Sequence, residues 1–465
     1  MLFNSTLYLG FLVVVVYVYY LLTPHYRRWF LLLASYSFYA GWGVPFPILM
    51  VGYTLLAGYT LLAYKTARII EDSTQQRNRT TALITFLAIV ISTLFVFKYA
   101  NFFLDSSYSL LGFRLWPQLN LLLPLGISFY RFSTISYIVD VYKGVTKAQK
   151  SILDVALYVI FFPSLLAGPI VRAEVLMPQF ACESSVDWIV IRSGIAQILW
   201  GMLKKVYVAD LIAPIANEVF ASPENVSGLG LVLGTLAYTV QVYCDFSGYS
   251  DIAIGSARLL GIELPKNFEK PYLAYSITDF WRRWHISLSN WLRDYLYIPL
   301  GGNRGGNLRT YANLMITMLL GGLWHGAGWN WVVWGGLQGA MLSIERATKL
   351  SSKPTSKINY LVRWLITLCL ICTSWIFFRA ADLNSAVVVL QRILTFADGR
   401  IPIDYRPLFY MATILLVEWW DLKQKWMIWT QNHPNSLKLI TYAMAIALMF
   451  TFAGASSSNF LYFQF

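Results

Sequence analysis

Charge is scarce in this sequence. Only 13% of its 465 residues are Asp, Glu, Lys or Arg, about half the share usual in a soluble globular domain. That deficit argues against a water-soluble domain. Basic residues form no block long enough for a nucleic-acid surface, so no nucleic-acid partner is expected. The net charge of +13 reads as the Lys and Arg that cytosolic loops of membrane proteins collect. Cysteine is scarce too. Cys182 and Cys244 stand alone, and Cys369 and Cys372 form a C-x-x-C inside an apolar run. Without a second pair or flanking histidines this spacing is a poor metal site; small buried side chains on a helix are expected. No G-x-S-x-G elbow and no Walker-type phosphate loop occur. No His, Cys and carboxylate residues have metal-ligand spacing, so no metal and no bound cofactor is expected. The start, Met1-Leu2-Phe3-Asn4, lacks a basic n-region, and no small-residue cleavage site follows the apolar run to Leu22. It is expected to be a retained first span.

Apolar residues are abundant. They make up 57% of the chain, and the mean hydropathy is +0.54. The fold class expected is an all-α polytopic membrane protein in contact with the lipid bilayer. Eighteen Trp, 30 Tyr and 29 Phe suit aromatic belts at two interfaces. Apolar segments fall at 7–22, 29–41, 48–64, 82–98, 119–142, 153–170, 187–213, 229–254, 313–324, 329–343, 360–378, 407–420 and 437–452. At ~20 residues per span, about eleven or twelve of these are transmembrane or re-entrant. Segment 153–170 contains Pro163, Gly168 and Pro169 and is expected to be broken, which membranes tolerate only where protein buries the backbone. Segment 187–213 carries Lys204-Lys205 and is expected to end near a polar surface. Segment 229–254 holds Asp245, Tyr249 and Asp251. Either these face a cavity or partner, or the helix ends near Phe246-Ser247-Gly248. Basic residues at 23–28 and 65–81 place those loops in the cytosol. No repeat and no separable soluble domain is evident, so residues 1–465 are read as one domain.

Histidine is as rare as cysteine, at four residues. Two of them, His285 and His325, directly follow tryptophans, Trp284 and Trp324. Residues 279–295 are too charged to span. At about 100° per residue, Trp281, Trp284, Leu288, Trp291, Leu292 and Tyr295 form one stripe, with Arg282, Arg283, Arg293 and Asp294 opposite. This predicts an amphipathic interfacial helix, capped by Ser276 or Thr278, with His285 at the edge of its apolar stripe. His325 lies in apolar sequence between Gly322 and Gly326, where small neighbours leave room for a substrate. An imidazole there can take a proton from a hydroxyl and return it, and desolvation favours its neutral, basic form. Each histidine also has a plain structural reading: a polar edge residue for His285, a buried hydrogen-bonded group for His325. Between them lies a glycine-rich turn, Gly301-Gly302-Asn303-Arg304-Gly305-Gly306. It reads as a plain loop, the alternative being a tight basic turn that touches a cofactor phosphate through Arg304 or Arg309.

The runs Asp279-Phe280-Trp281-Arg282-Arg283-Trp284-His285-Ile286-Ser287 and Leu320-Gly321-Gly322-Leu323-Trp324-His325-Gly326-Ala327 resemble the signatures of the membrane-bound O-acyltransferase family, in its bacterial alginate O-acetylase-like branch. Further resemblances are Leu123–Tyr130, Ala167-Gly168-Pro169, and Asp245-Phe246-Ser247-Gly248-Tyr249-Ser250-Asp251 continuing to Asn267-Phe268. Cys244 stands where a bulky aromatic is expected. The resemblance implies a ring of tilted helices around a central funnel or tunnel, in a multi-pass bacterial inner-membrane protein. It implies acetyl transfer from a cytosolic acyl thioester donor, acetyl-CoA or a carrier-bound acetyl group, toward O-acetylation of an alginate-like or other polysaccharide. A periplasmic or extracellular acetyltransferase would be the partner. His325 matches the family's essential histidine and His285 its second. Trp324, Trp284, Asp245, Asp251, Tyr249, Asn267 and Arg304 are candidates to line the substrate tunnel. D-alanyl or other acyl transfer to a cell-wall polymer is the alternative. A flippase for lipid-linked sugars is a reading of a different class, one that would call for internal repeats.

Overall fold

The computed structural model describes residues 1–41, 46–113, 117–119, 126–165, 168–182, 185–401 and 405–420. Among them the chain is all-helical, with one isolated bridge between Val226 and Arg400. The apolar segment at 437–452 lies outside the described residues. Among the described residues three helices are long and apolar enough to cross a membrane: Gln76–Leu111, Gly228–Leu259 and Lys357–Arg379. Shorter apolar helices include Thr6–Leu21 and Leu383–Leu394. Within Gln76–Leu111 the apolar side chains of Ile84, Ile91, Phe95 and Val96 point outward, as a lipid-facing helix requires.

The chain divides into two compact units: residues 1–194 with 253–265, and residues 195–252 with 266–465. In the first, Phe3, Tyr8, Leu12, Leu31 and Phe38 pack into a buried core. Tyr8 donates to Ser256 Oγ at 2.7 Å. Buried Arg131 donates to Tyr59 Oη at 2.9 Å, and Arg28 pairs with Asp154 at 3.2 Å. The break expected in segment 153–170 is present. The Ile152–Ile160 helix stops at Phe161, and a short helix restarts at Phe162. The freed Phe162 N–H donates to Ser35 Oγ at 3.2 Å, as a buried backbone donor requires. The basic residues Lys65 and Arg68 are not in a loop. They lie on the Phe46–Asp72 helix, whose apolar pattern simply continues past the first charge.

In the second unit the helical chain runs through Lys204-Lys205 and on past Ala213. A π-helical stretch, Leu203–Ala209, leads into Asp210–Ala221. Lys205 is buried because two carboxylates meet its ammonium: Asp210 at 2.7 Å and Asp245 at 2.6 Å. Lys204 pairs with Asp251 and donates to Ser247 Oγ at 3.0 Å. These partners also decide between the two readings of segment 229–254. The Gly228–Leu259 helix does not stop at Ser247; its acidic residues are matched by lysines from the preceding helix, as ionisable groups in apolar surroundings must be.

The helices Gly306–His325 and Trp329–Ala347 form a tight hairpin. Glycine permits it. A Cβ on Gly322 would lie 2.3 Å from the Trp331 carbonyl oxygen, and one on Gly335 2.3 Å from that of Met318. Small residues let two backbones approach in this way. Cys369 and Cys372 sit on the Lys357–Arg379 helix as free thiols. Cys369 is exposed, contrary to the expectation of two buried side chains, because that helix turns an apolar face outward at Leu365, Ile366 and Leu370.

Candidate active site

Residues 279–295 do not form one continuous amphipathic helix. Ser276 caps the first helix, Ile277–Arg283, accepting from the Asp279 N–H at 3.0 Å. Glu345 accepts from the Ile277 N–H at 2.6 Å, placing a carboxylate at the same helix start. The helix ends at Trp284, and a second, Ile286–Leu292, follows. Between them His285 adopts a left-handed conformation, φ 43° and ψ 54°, which costs a residue with a Cβ roughly 1–2 kcal/mol. The neighbouring 267–269 strand of chain compensates. Asn267 C=O accepts from the Ile286 N–H and the Glu269 N–H donates to Arg283 C=O, both at 2.9 Å. The backbone groups that a continuous helix would pair internally are thus paired with another segment.

This break takes His285 off the helix edge and buries it fully. Its ring stands edge-on to Phe246 at 4.6 Å. Its Nδ1 lies 3.1 Å from Asn267 Oδ1, and Asn267 Nδ2 donates to Ser250 Oγ at 3.0 Å. No hydrogen-bond partner for Nε2 occurs among the described residues. Burial pushes the imidazole down to about 3, so it is neutral at physiological pH.

His325 is the last residue of its helix, and the turn is shaped by glycine: a Cβ on Gly326 would lie 2.3 Å from Trp331 Nε1. The ring sits in an aromatic cage. Trp324 is 4.6 Å away between centroids, Phe378 5.1 Å, Trp334 5.2 Å and Trp331 6.2 Å. The Trp324 indole also lies 6.4 Å from His285. The two histidines, 40 positions apart by number, therefore flank one indole.

The other sequence candidates divide. Asn267 and Trp324 join the histidines. Trp284 is buried beside them, packed on Trp375 at 5.0 Å and stacked on Phe280 at 5.5 Å. Asp245, Asp251 and Tyr249 belong to the lysine cluster; Tyr249 lies under the Lys205 ammonium at 5.9 Å. Arg304 is exposed on the glycine-rich turn, where Gly301 and Gly302 have φ of 110° and 56°. Sequence reasoning missed Ser250, Ser287 and the cage residues Trp331, Trp334 and Phe378. Ser287, two positions after His285, and Ser250, inside the Asp245–Asp251 run, carried a local signal.

The membrane-bound O-acyltransferase family model matches residues 148–387, a segment that contains both histidines. The chain is 43% identical to a probable alginate O-acetylase of Azotobacter vinelandii, over 86% of this chain and 79% of that one. It is 35% identical to a peptidoglycan O-acetyltransferase of Helicobacter pylori, over 100% and 98% of the two chains. A teichoic acid D-alanyltransferase of Bacillus subtilis is 29% identical over 47% of this chain and 58% of its own. Together these findings decide between acyl transfer and lipid transport in favour of acyl transfer: the chain belongs to the membrane-bound O-acyltransferase family and is a membrane-bound O-acyltransferase.

Proposed function

We propose that this protein moves an acetyl group from a cytosolic thioester, acetyl-CoA or a carrier-bound acetyl, to a hydroxyl on the far side of the bacterial inner membrane. Its multi-pass helices surround a funnel, and the acetyl group goes on to an alginate-like or other extracellular polysaccharide, with a periplasmic acetyltransferase as partner. The relatives support an envelope polysaccharide as final acceptor, since the names they carry are alginate and peptidoglycan acetylation. The observation that carries the chemistry is the placement of both Trp-His imidazoles against the Trp324 indole.

In this reaction His325 takes the proton of the acceptor hydroxyl as its oxygen attacks the thioester carbonyl carbon. The carbon–sulfur bond then breaks and the proton passes to the leaving thiolate, giving an ester and a free thiol. The aromatic cage excludes water, which protects the thioester from hydrolysis. His285 orients the reactants beside Trp324. Acetyl label supplied as acetyl-CoA to membranes carrying the chain is expected in polysaccharide, and His325→Ala should abolish incorporation while the protein still inserts. Normal acetylation by that variant would sink the assignment. Preferential use of a D-alanyl thioester would replace it with the alternative reading.

A further inference from the structure

His285 could serve the reaction in two opposite ways: as a donor to the thioester carbonyl oxygen, or as an acceptor from a hydroxyl. The hydrogen bonds around Asn267 decide between them. The Ser287 backbone N–H lies 3.3 Å from Asn267 Oδ1. A backbone N–H can only donate, so the Asn267 atom facing it is the oxygen. Its amide nitrogen is then the atom that donates to Ser250 Oγ at 3.0 Å. The same oxygen receives the Ser287 hydroxyl at 2.9 Å and faces His285 Nδ1 at 3.1 Å. An amide oxygen cannot donate, so Nδ1 carries the hydrogen. In a neutral imidazole that leaves Nε2 with a lone pair and no proton. The nitrogen is buried and has no partner among the described residues.

We infer that Asn267, anchored by Ser250, is a positioning residue that locks His285 as a hydrogen-bond acceptor. Its ligand is a hydroxyl of the acyl acceptor, adjacent to the one that surrenders its proton to His325; it is not the carbonyl oxygen of the donor. The left-handed backbone at His285 fits this role, because the Ile286 N–H to Asn267 C=O bond ties the ring's own backbone to the residue that sets its tautomer. This inference rests on the acyl-transfer reading of the two histidines.

Two measurements test it on the full chain in lipid nanodiscs and in membranes. The first is the ring nitrogen-15 spectrum of histidine-labelled protein, with His285 identified by difference against His285→Asn. The expected signal is a protonated Nδ1 with an unprotonated Nε2 near neutral pH. A protonated Nε2 would overturn the inference. The second is the pH profile of acetyl transfer from acetyl-CoA by Asn267→Asp. A carboxylate beside Nδ1 keeps the tautomer but favours the imidazolium, which removes the Nε2 lone pair at higher pH. The acid limb should move to higher pH, with activity above it within a few-fold of the native protein. A gain of activity at acid pH would mean that His285 donates, contrary to the inference. Should His325→Ala retain full activity, the functional reading falls, while the nitrogen-15 result still decides how Asn267 holds His285.

Discussion

His285 and His325 each follow a tryptophan and both pack on Trp324, yet their surroundings differ in kind. His285 bonds through Nδ1 to Asn267 Oδ1, and Asn267 is itself held by Ser287 and Ser250. Around His325 stand the rings of Trp324, Trp331, Trp334 and Phe378. A hydrogen-bonded imidazole has a defined tautomer and direction, which suits holding a substrate. The aromatic faces around His325 are what the proposed reaction uses to shield proton transfer to and from a hydroxyl. In the proposed reaction this difference favours orientation for His285 and proton transfer for His325.

The comparison can be broken by substitution. The largest expected effect is at His325: Ala there should lower acetyl incorporation per inserted protein by roughly 10²–10⁴-fold, the usual contribution of a general base. Next comes the lysine cluster, which is structural in this reading. Lys205→Met leaves Asp210 and Asp245 buried without their cation and should destabilise the protein by about 3–5 kcal/mol, seen as a lower thermal unfolding temperature in detergent. An unchanged midpoint there would mean that the cluster is not a structural element. His285→Ala should cost on the order of 10²-fold in turnover, as expected of lost orientation, with a smaller change in the donor's apparent KM. Gly335→Val would press on the Met318 backbone of the hairpin that carries His325; overpacking there should cost about 1–3 kcal/mol of stability, read as a lower unfolding temperature in detergent.

The smallest effect is one of pH. His285 has a folded value of about 3 against an ordinary 6.5. Between those values the unfolded chain binds a proton that the folded protein does not, so stability is complete above about pH 6.5 and falls as pH drops toward 3. By pH 5.5 the loss should be on the order of 1 kcal/mol, and unfolding of His285→Asn should lack that part of the acid sensitivity.

Much of this was legible in the residues. The family signatures name both histidines, the Ser276 cap follows from local chemistry, and Pro163 and Gly168 mark the break near Phe161. What escaped depends on contacts between distant segments. Residues 279–295 have the apolar stripe of one helix. Asn267 and Glu269 divide it by supplying hydrogen bonds from outside, and the helical stripe carries no trace of that. Lys204-Lys205 looked like the edge of a membrane because their partners, Asp245 and Asp251, lie some 40 residues on. The ion pairs of Asp245 and Asp251 with those lysines likewise leave no mark on the local sequence pattern. The cage residues Trp331, Trp334 and Phe378 are individually ordinary aromatics in an aromatic-rich chain, and only their convergence on His325 distinguishes them.

The measurement that tests the pairing most directly is acetyl incorporation by His325→Ala, His285→Ala and the double variant, compared at equal amounts of inserted protein. If both imidazoles serve one acceptor in one reaction, their losses are not independent, and the double variant should be about as impaired as His325→Ala alone. Losses that multiply, or a His325→Ala protein with native activity, would contradict a shared site around Trp324.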